Sequence, residues 1–142
     1  MKNLALIGLL SLPLILTGCV DREQADAKLV KGCIAAVEAF LPEGDEVKEI
    51  YSKETRTHPT MGYGHREVAL EVSISDGYHV RDETHACIFL EEFGFAKMSH
   101  RASIYQLNYE GRIIGQENYQ IRGDLQDMTK LTNAVDAAMS GK

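Results

Sequence analysis

The order of apolar and polar residues predicts a helix at the start of the region 25–142. Apolar residues recur there at spacings of three and four, which is the period of an amphipathic helix over about residues 25–41. They are Leu29, Cys33, Ala36, Val37 and Phe40. Pro42 and Gly44 follow and end the helix, because proline disfavours helical backbone in the residue before it and glycine readily takes a left-handed conformation.

The middle of the chain has the two-residue period of antiparallel strands. We predict strands over 47–55, 65–75, 78–90 and 99–109, and a broken last strand over 112–115 and 117–122. The pattern is clearest in 65–75, where the apolar members are Val68, Leu70, Val72 and Ile74. Asp76-Gly77 and Glu110-Gly111 supply the turns, since glycine accepts the positive φ that tight hairpins require.

A second amphipathic helix closes the chain. Asp124 is the predicted N-cap, and Asp127 in the first turn suits the helix dipole. The apolar face consists of Leu125, Met128, Leu131, Val135 and Ala138. The pattern therefore predicts an α+β fold: an N-terminal helix, an antiparallel sheet of four to five strands and a C-terminal helix, with both helices on one sheet face.

One strand has an ambiguous period. Arg81, Glu83 and His85 are in phase with Cys87 and Phe89, so a regular strand would turn charged groups toward the core. We therefore expect a β-bulge that shifts the register, or a splayed open end near Arg81.

The N-terminus has the form of an export signal. Lys2 precedes 13 mostly apolar residues, 4–16, whereas a helix needs about 20 to cross a hydrocarbon core. The sequence Leu16-Thr17-Gly18-Cys19 that follows resembles the lipobox of bacterial lipoproteins. The resemblance covers these four residues only; an ordinary cleaved signal followed by a chance cysteine is the alternative.

The lipobox resemblance implies a lipid-anchored envelope protein. Residues 1–18 would be the signal peptide, Cys19 the acylated (palmitate-bearing) first residue, 19–24 a tether and 25–142 a single domain. In Gram-negative lipoproteins an aspartate directly after the anchor cysteine retains the protein at the inner membrane. Val20 occupies that position, so we expect the outer membrane, facing the periplasm, if the source is Gram-negative.

The charge of the chain limits the classes of partner that it is expected to bind. Lys2 is the only charged residue before Cys19, so the mature chain has 14 Lys and Arg against 21 Asp and Glu, a formal charge of −7. This balance argues against nucleic acid as a partner. It permits a basic protein partner, while simple solvation is the alternative explanation.

Two further cysteines, Cys33 and Cys87, remain after Cys19 is assigned to the anchor. An even pair in an exported domain predicts a disulfide. Its chain-entropy contribution would be about 4 kcal/mol. A redox pair or metal thiolates are the competing interpretations, but neither Cys-x-x-Cys nor a zinc-type spacing is present.

The candidates for chemistry are few. His58, His65, His79 and His85 suggest a metal hypothesis, yet no His-Glu-x-x-His motif occurs, and scattered surface and hairpin histidines are the favoured explanation. Glu83 beside His85 has the residue types of an acid–base pair. No Gly-x-Ser-x-Gly motif is present. We expect neither catalytic residues nor a metal or other cofactor.

The residues between the first two strands form the predicted contact loop. His58, Met61, Tyr63 and His65 are the candidate partner-binding residues, because exposed aromatic groups favour recognition surfaces; a solvated turn is the alternative. The expected function is a non-enzymatic envelope lipoprotein that binds a protein partner or envelope component through its sheet face or loops. An inhibitor or immunity-type lipoprotein against a basic exported enzyme, and a histidine-metal protein or hydrolase, remain as alternatives.

Overall fold

The computed structural model describes residues 18–141, so the predicted signal peptide lies outside the described residues except for Gly18. Helix α1 spans Arg22–Phe40 and helix α2 spans Leu125–Ser140. Asp124 accepts a hydrogen bond from the backbone N–H of Asp127, which confirms the predicted N-cap. Asp21 caps α1 in the same way, so α1 starts before residue 25 and part of the expected tether is helical.

Six strands form one antiparallel sheet in which each strand pairs with the next along the chain. Their bounds are β1 Glu46–Thr57, β2 His65–Ser75, β3 Val80–Phe93, β4 His100–Tyr109, β5 Arg112–Glu117 and β6 Gln120–Arg122. Such a meander places the β1–β2 and β3–β4 loops at one end of the long strands. The β2–β3 and β4–β5 turns lie at the opposite end.

The prediction of four to five strands is wrong, because the last segment forms a hairpin and brings the sheet to six strands. What we expected to be one broken strand is β5 and β6, joined by a two-residue turn at Asn118-Tyr119. Both residues have positive φ, 48° and 64°. Such turns normally contain glycine, because a tyrosine with positive φ is strained. The sequence therefore lacked the usual hairpin signal at this position.

Both helices pack together on one face of the sheet and enclose the core. The helices contribute Leu29, Cys33, Ala36, Val37, Leu131 and Val135, and the strands contribute Val68, Leu70, Val72, Ile74, Cys87, Phe89, Leu107, Tyr109 and Ile114. The predicted disulfide is confirmed: Cys33 of α1 is bonded to Cys87 of β3. The bond fixes α1 to the middle of the sheet.

The predicted bulge near Arg81 is absent. β2 and β3 pair without a register shift from His65↔Leu90 to Ser75↔Val80. The expectation of an open end fits better, since pairing between β3 and β4 begins only at Ala86↔Asn108 and residues 80–85 extend beyond it. The register shifts occur instead in β1 and at Ile88/Phe89 in the β3–β4 pairing.

Within residues 18–141, neither helix combines the length and the apolar character that crossing a membrane requires.

Candidate functional site

Charged residues of β3 stay on the helix-covered face and pair with one another. The Arg81 guanidinium donates to Glu83 and, across 2.6 Å, to Asp45 of the α1–β1 loop. These hydrogen bonds raise the pKa of Arg81 above its usual value. A regular β3 turns Arg81 toward the core, and Asp45 of the α1–β1 loop supplies a negative charge that balances it.

His85 lies at the inner end of this charged cluster. Its ring stacks on Tyr109 with 4.7 Å between ring centroids, and the residue is 1% exposed. Burial lowers the pKa of His85 and outweighs the opposing effect of Glu83. Nε2 lies 2.9 Å from Oε2 of Glu83, but the two atoms are not aligned for a hydrogen bond. Glu83 and His85 are therefore in close contact, with the His85 ring buried and Glu83 half-buried.

A second charged cluster fastens the N-terminus of α1 to the sheet. Arg22 donates two hydrogen bonds to Glu91 of β3, at 2.7 and 2.9 Å. Asp26, one turn further along α1, binds Arg66 of β2 through both of its carboxylate oxygens. Burial acts to raise the pKa values of Asp26 and Glu91, but the hydrogen bonds lower both overall. The start of α1 is therefore joined to β2 and β3 by charged hydrogen bonds.

The predicted contact loop is only partly exposed. Tyr63 is fully exposed, whereas Met61 is half-buried. His58 accepts backbone hydrogen bonds from Thr60 and Met61 through Nδ1. His65 packs edge-on against Tyr105, 5.1 Å between ring centroids. The structure thus brings these residues to one loop, but the two histidines hold that loop in shape and only Tyr63 is freely available to a partner.

No helix covers the other face of the sheet within the described residues, and carboxylates cross it diagonally. Glu54 of β1, Glu71 of β2 and Asp82 of β3 are exposed and share this open face. Each is the diagonal neighbour of the next, a relation that places such residues about 7–8 Å apart. We call these three residues the acidic row.

The acidic row has no counter-charge of its own. None of its three carboxylates forms a salt bridge to a residue in the part of the chain that the structure describes. Small side chains lie beside them on the same face: Ala69, Thr84 and Ala86. A long basic side chain of another molecule can therefore reach the carboxylates without displacing bulky groups.

The histidines do not assemble a metal centre in the described region. Among residues 18–141 no group of three or more His, Cys, Asp or Glu side chains is arranged to hold a metal ion. His79 lies exposed in the β2–β3 turn, and His100 is buried against Glu91. The metal hypothesis therefore gains no geometric support from these residues.

Comparisons with family models, with curated proteins and with solved structures gave no match.

The acidic row was not foreseen from the sequence. The alternation in β2 indicates that Glu71 faces solvent, but the proximity of Glu54 and Asp82 depends on the register with β1 and β3. Two irregularities in β1, after Val47 and after Ile50, decide that register. The signal available in the sequence was only the excess of acidic residues.

Proposed function

We propose that this chain is a lipid-anchored, non-enzymatic binding protein of the bacterial envelope, and that its acidic row holds a basic protein partner. The observation that carries the proposal is the row itself: three exposed carboxylates without ion-pair partners among residues 18–141, on the face that neither helix covers. Like charges about 7–8 Å apart on one sheet face repel one another. A partner with matched positive charges relieves that repulsion.

The lipid anchor in this proposal rests on the lipobox resemblance and on the position of Cys19. Cys19 is exposed and is the free cysteine of the described residues, since Cys33 and Cys87 are bonded. Its thiol is thus available for acylation. The intact mass of the protein extracted from membranes tests this point: acyl chains on a chain that starts at Cys19 support the anchor, and an unlipidated chain overturns it.

The binding site is tested by neutralising the row in intact cells. The triple variant Glu54→Gln, Glu71→Gln, Asp82→Asn removes the three charges with little change in shape. A matched control neutralises three exposed carboxylates outside the open face: Glu38→Gln, Glu43→Gln and Asp136→Asn. Amine-reactive crosslinking on intact envelopes, which does not use the altered carboxylates, then shows which version retains a partner.

We expect the control to keep a crosslinked basic protein and the row variant to lose it. Raised salt should weaken capture by the unaltered protein, because exposed charges are screened over about 8–10 Å at physiological ionic strength. Equal capture by both variants, or no salt dependence, would show that the row is not the contact surface.

An inhibitor or immunity-type lipoprotein remains the second candidate, because the row suits a basic exported enzyme. Loss of that enzyme's activity in the complex would distinguish this candidate from a binding protein without inhibitory function.

A further inference from the structure

We propose that the β3–β4 loop lies in the bilayer interface beside the lipid anchor, with Phe95 and Met98 in contact with lipid. The inference deepens the proposed function and rests on lipidation of Cys19. It concerns how the domain sits on its membrane. The surface involved consists of Phe95, Met98 and Tyr63, which we call the tether-end patch.

The length of chain at the anchor limits where the domain can be. In a chain cleaved before Cys19, only Cys19, Val20 and Asp21 would precede α1, and three extended residues reach about 10 Å at most. The backbone N–H of Val20 also donates to the carbonyl of Lys97, across 2.8 Å. The residue next to the anchor is therefore bonded to the β3–β4 loop itself. Lipid chains on Cys19 would emerge beside that loop.

The loop presents apolar side chains to the outside. Phe95 is 90% exposed and Met98 is 65% exposed. Exposed apolar groups clustered in this way mark protein or membrane contacts. Of a protein and a membrane, we choose the membrane, because the short tether places the bilayer within about 10 Å of the loop.

The backbone of the β3–β4 loop is strained at two residues. Ala96 and Lys97 have φ of 50° and 57°, values that few non-glycine residues adopt. The backbone N–H of Gly94 closes the loop by donating to the carbonyl of Ser99 at 2.9 Å. Strained backbone persists where function or the surrounding structure requires it. Here the strained turn holds Phe95 away from the core.

The contact loop between β1 and β2 lies at the same end of the molecule. The N–H of Glu91 donates to the carbonyl of Gly64, across 2.8 Å, and Glu91 binds Arg22 at the start of α1. Tyr63, next to Gly64, is fully exposed. Tyrosine is enriched at membrane interfaces because its ring is apolar and its hydroxyl is polar. Its position gives the patch a second point of contact.

Because the chain contains no tryptophan, a single introduced tryptophan can report how deeply its position lies in the bilayer. We would prepare Phe95→Trp and, as a matched control, Tyr78→Trp. Tyr78 is equally exposed, at 93%, but lies in the β2–β3 turn at the opposite end of the strands. Each lipidated protein would be reconstituted into phosphatidylcholine–phosphatidylglycerol vesicles with and without brominated acyl chains, and isolated by flotation.

The expected result is a blue shift and loss of most of the fluorescence at position 95 in brominated vesicles, with no quenching at position 78. Flotation without quenching at position 95 would overturn this inference and leave the anchor intact. Equal quenching at both positions would show a domain lying on its side, which also overturns it. Failure to float would overturn the anchor and, with it, the inference.

Discussion

Removal of the Cys33–Cys87 disulfide should cost a large part of the stability of the domain. The bond closes a loop of 54 residues between α1 and β3. Opening a loop of that length returns chain entropy to the unfolded state worth about 4 kcal/mol at 25 °C. The matching perturbation is the double variant Cys33→Ala, Cys87→Ala, which avoids placing a hydroxyl in the core.

Lost packing in the core adds to the destabilisation caused by chain entropy. Both cysteines are fully buried, so alanine leaves two sulfur-sized gaps that cost about 1 kcal/mol each. The total, about 6 kcal/mol, compares with the 5–15 kcal/mol, roughly, by which a domain is stable. The variant should therefore unfold at a much lower urea concentration, or be partly unfolded without urea.

Urea unfolding followed by far-UV circular dichroism is the assay, since no tryptophan is present to report fluorescence. The dependence of the unfolding free energy on urea should also steepen, because an unlinked unfolded chain exposes more surface. Cys19→Ala is the control for stability: that cysteine is exposed and unbonded, so its loss should remove the proposed anchor but leave the free energy of unfolding unchanged. A double variant within about 1 kcal/mol of the parent would refute the reasoning, because ordinary surface substitutions alone reach about half that size.

Three further predictions follow from local geometry. Gly115→Ala should destabilise the protein by about 3 kcal/mol, because the new Cβ would lie 2.4 Å from the carbonyl oxygen of Tyr105; Gly111→Ala, with open space around it, should cost about 1 kcal/mol in the same urea assay. Asp124→Ala should cost about 1 kcal/mol by removing the α2 N-cap, and Asp124→Asn should restore it. Burial lowers the pKa of His85, so its stabilising contribution, full above about pH 6.5, is lost as the pH falls below that value; His85→Phe should flatten urea stability between pH 7 and 5, and an unchanged slope would contradict this.

The sequence predicted most of the fold because its apolar periods are regular. The alternation in residues 65–75 gave β2 its bounds, and the core faces of both helices were identified from their spacing. The sixth strand was missed because Asn118-Tyr119 forms a tight turn without glycine. A period identifies a face, but it does not detect a turn made by strained residues.

The candidate site was harder to predict because it depends on contacts distant in sequence. Asp45 neutralises Arg81 from another loop, which made the expected bulge unnecessary. His65 was predicted as a contact residue, but Tyr105, forty residues later, packs against it. Conventional sequence patterns contain no information about such partners. The acidic row depends on strand register for the same reason.

The two proposed surfaces are compatible because the strands separate them. Glu71 lies six residues along β2 from His65 at the tether end, about 20 Å at the rise of an antiparallel strand. Asp82 lies eleven residues along β3 from Phe93, which is about 37 Å. Glu54 pairs with Ala69, four residues along β2 from His65, which is about 14 Å. All three distances exceed the screening length of about 8 Å at physiological ionic strength. Anionic lipid headgroups would therefore repel the acidic row only weakly, and the row would face the aqueous space, where a basic protein can reach it while the anchored end stays in the membrane.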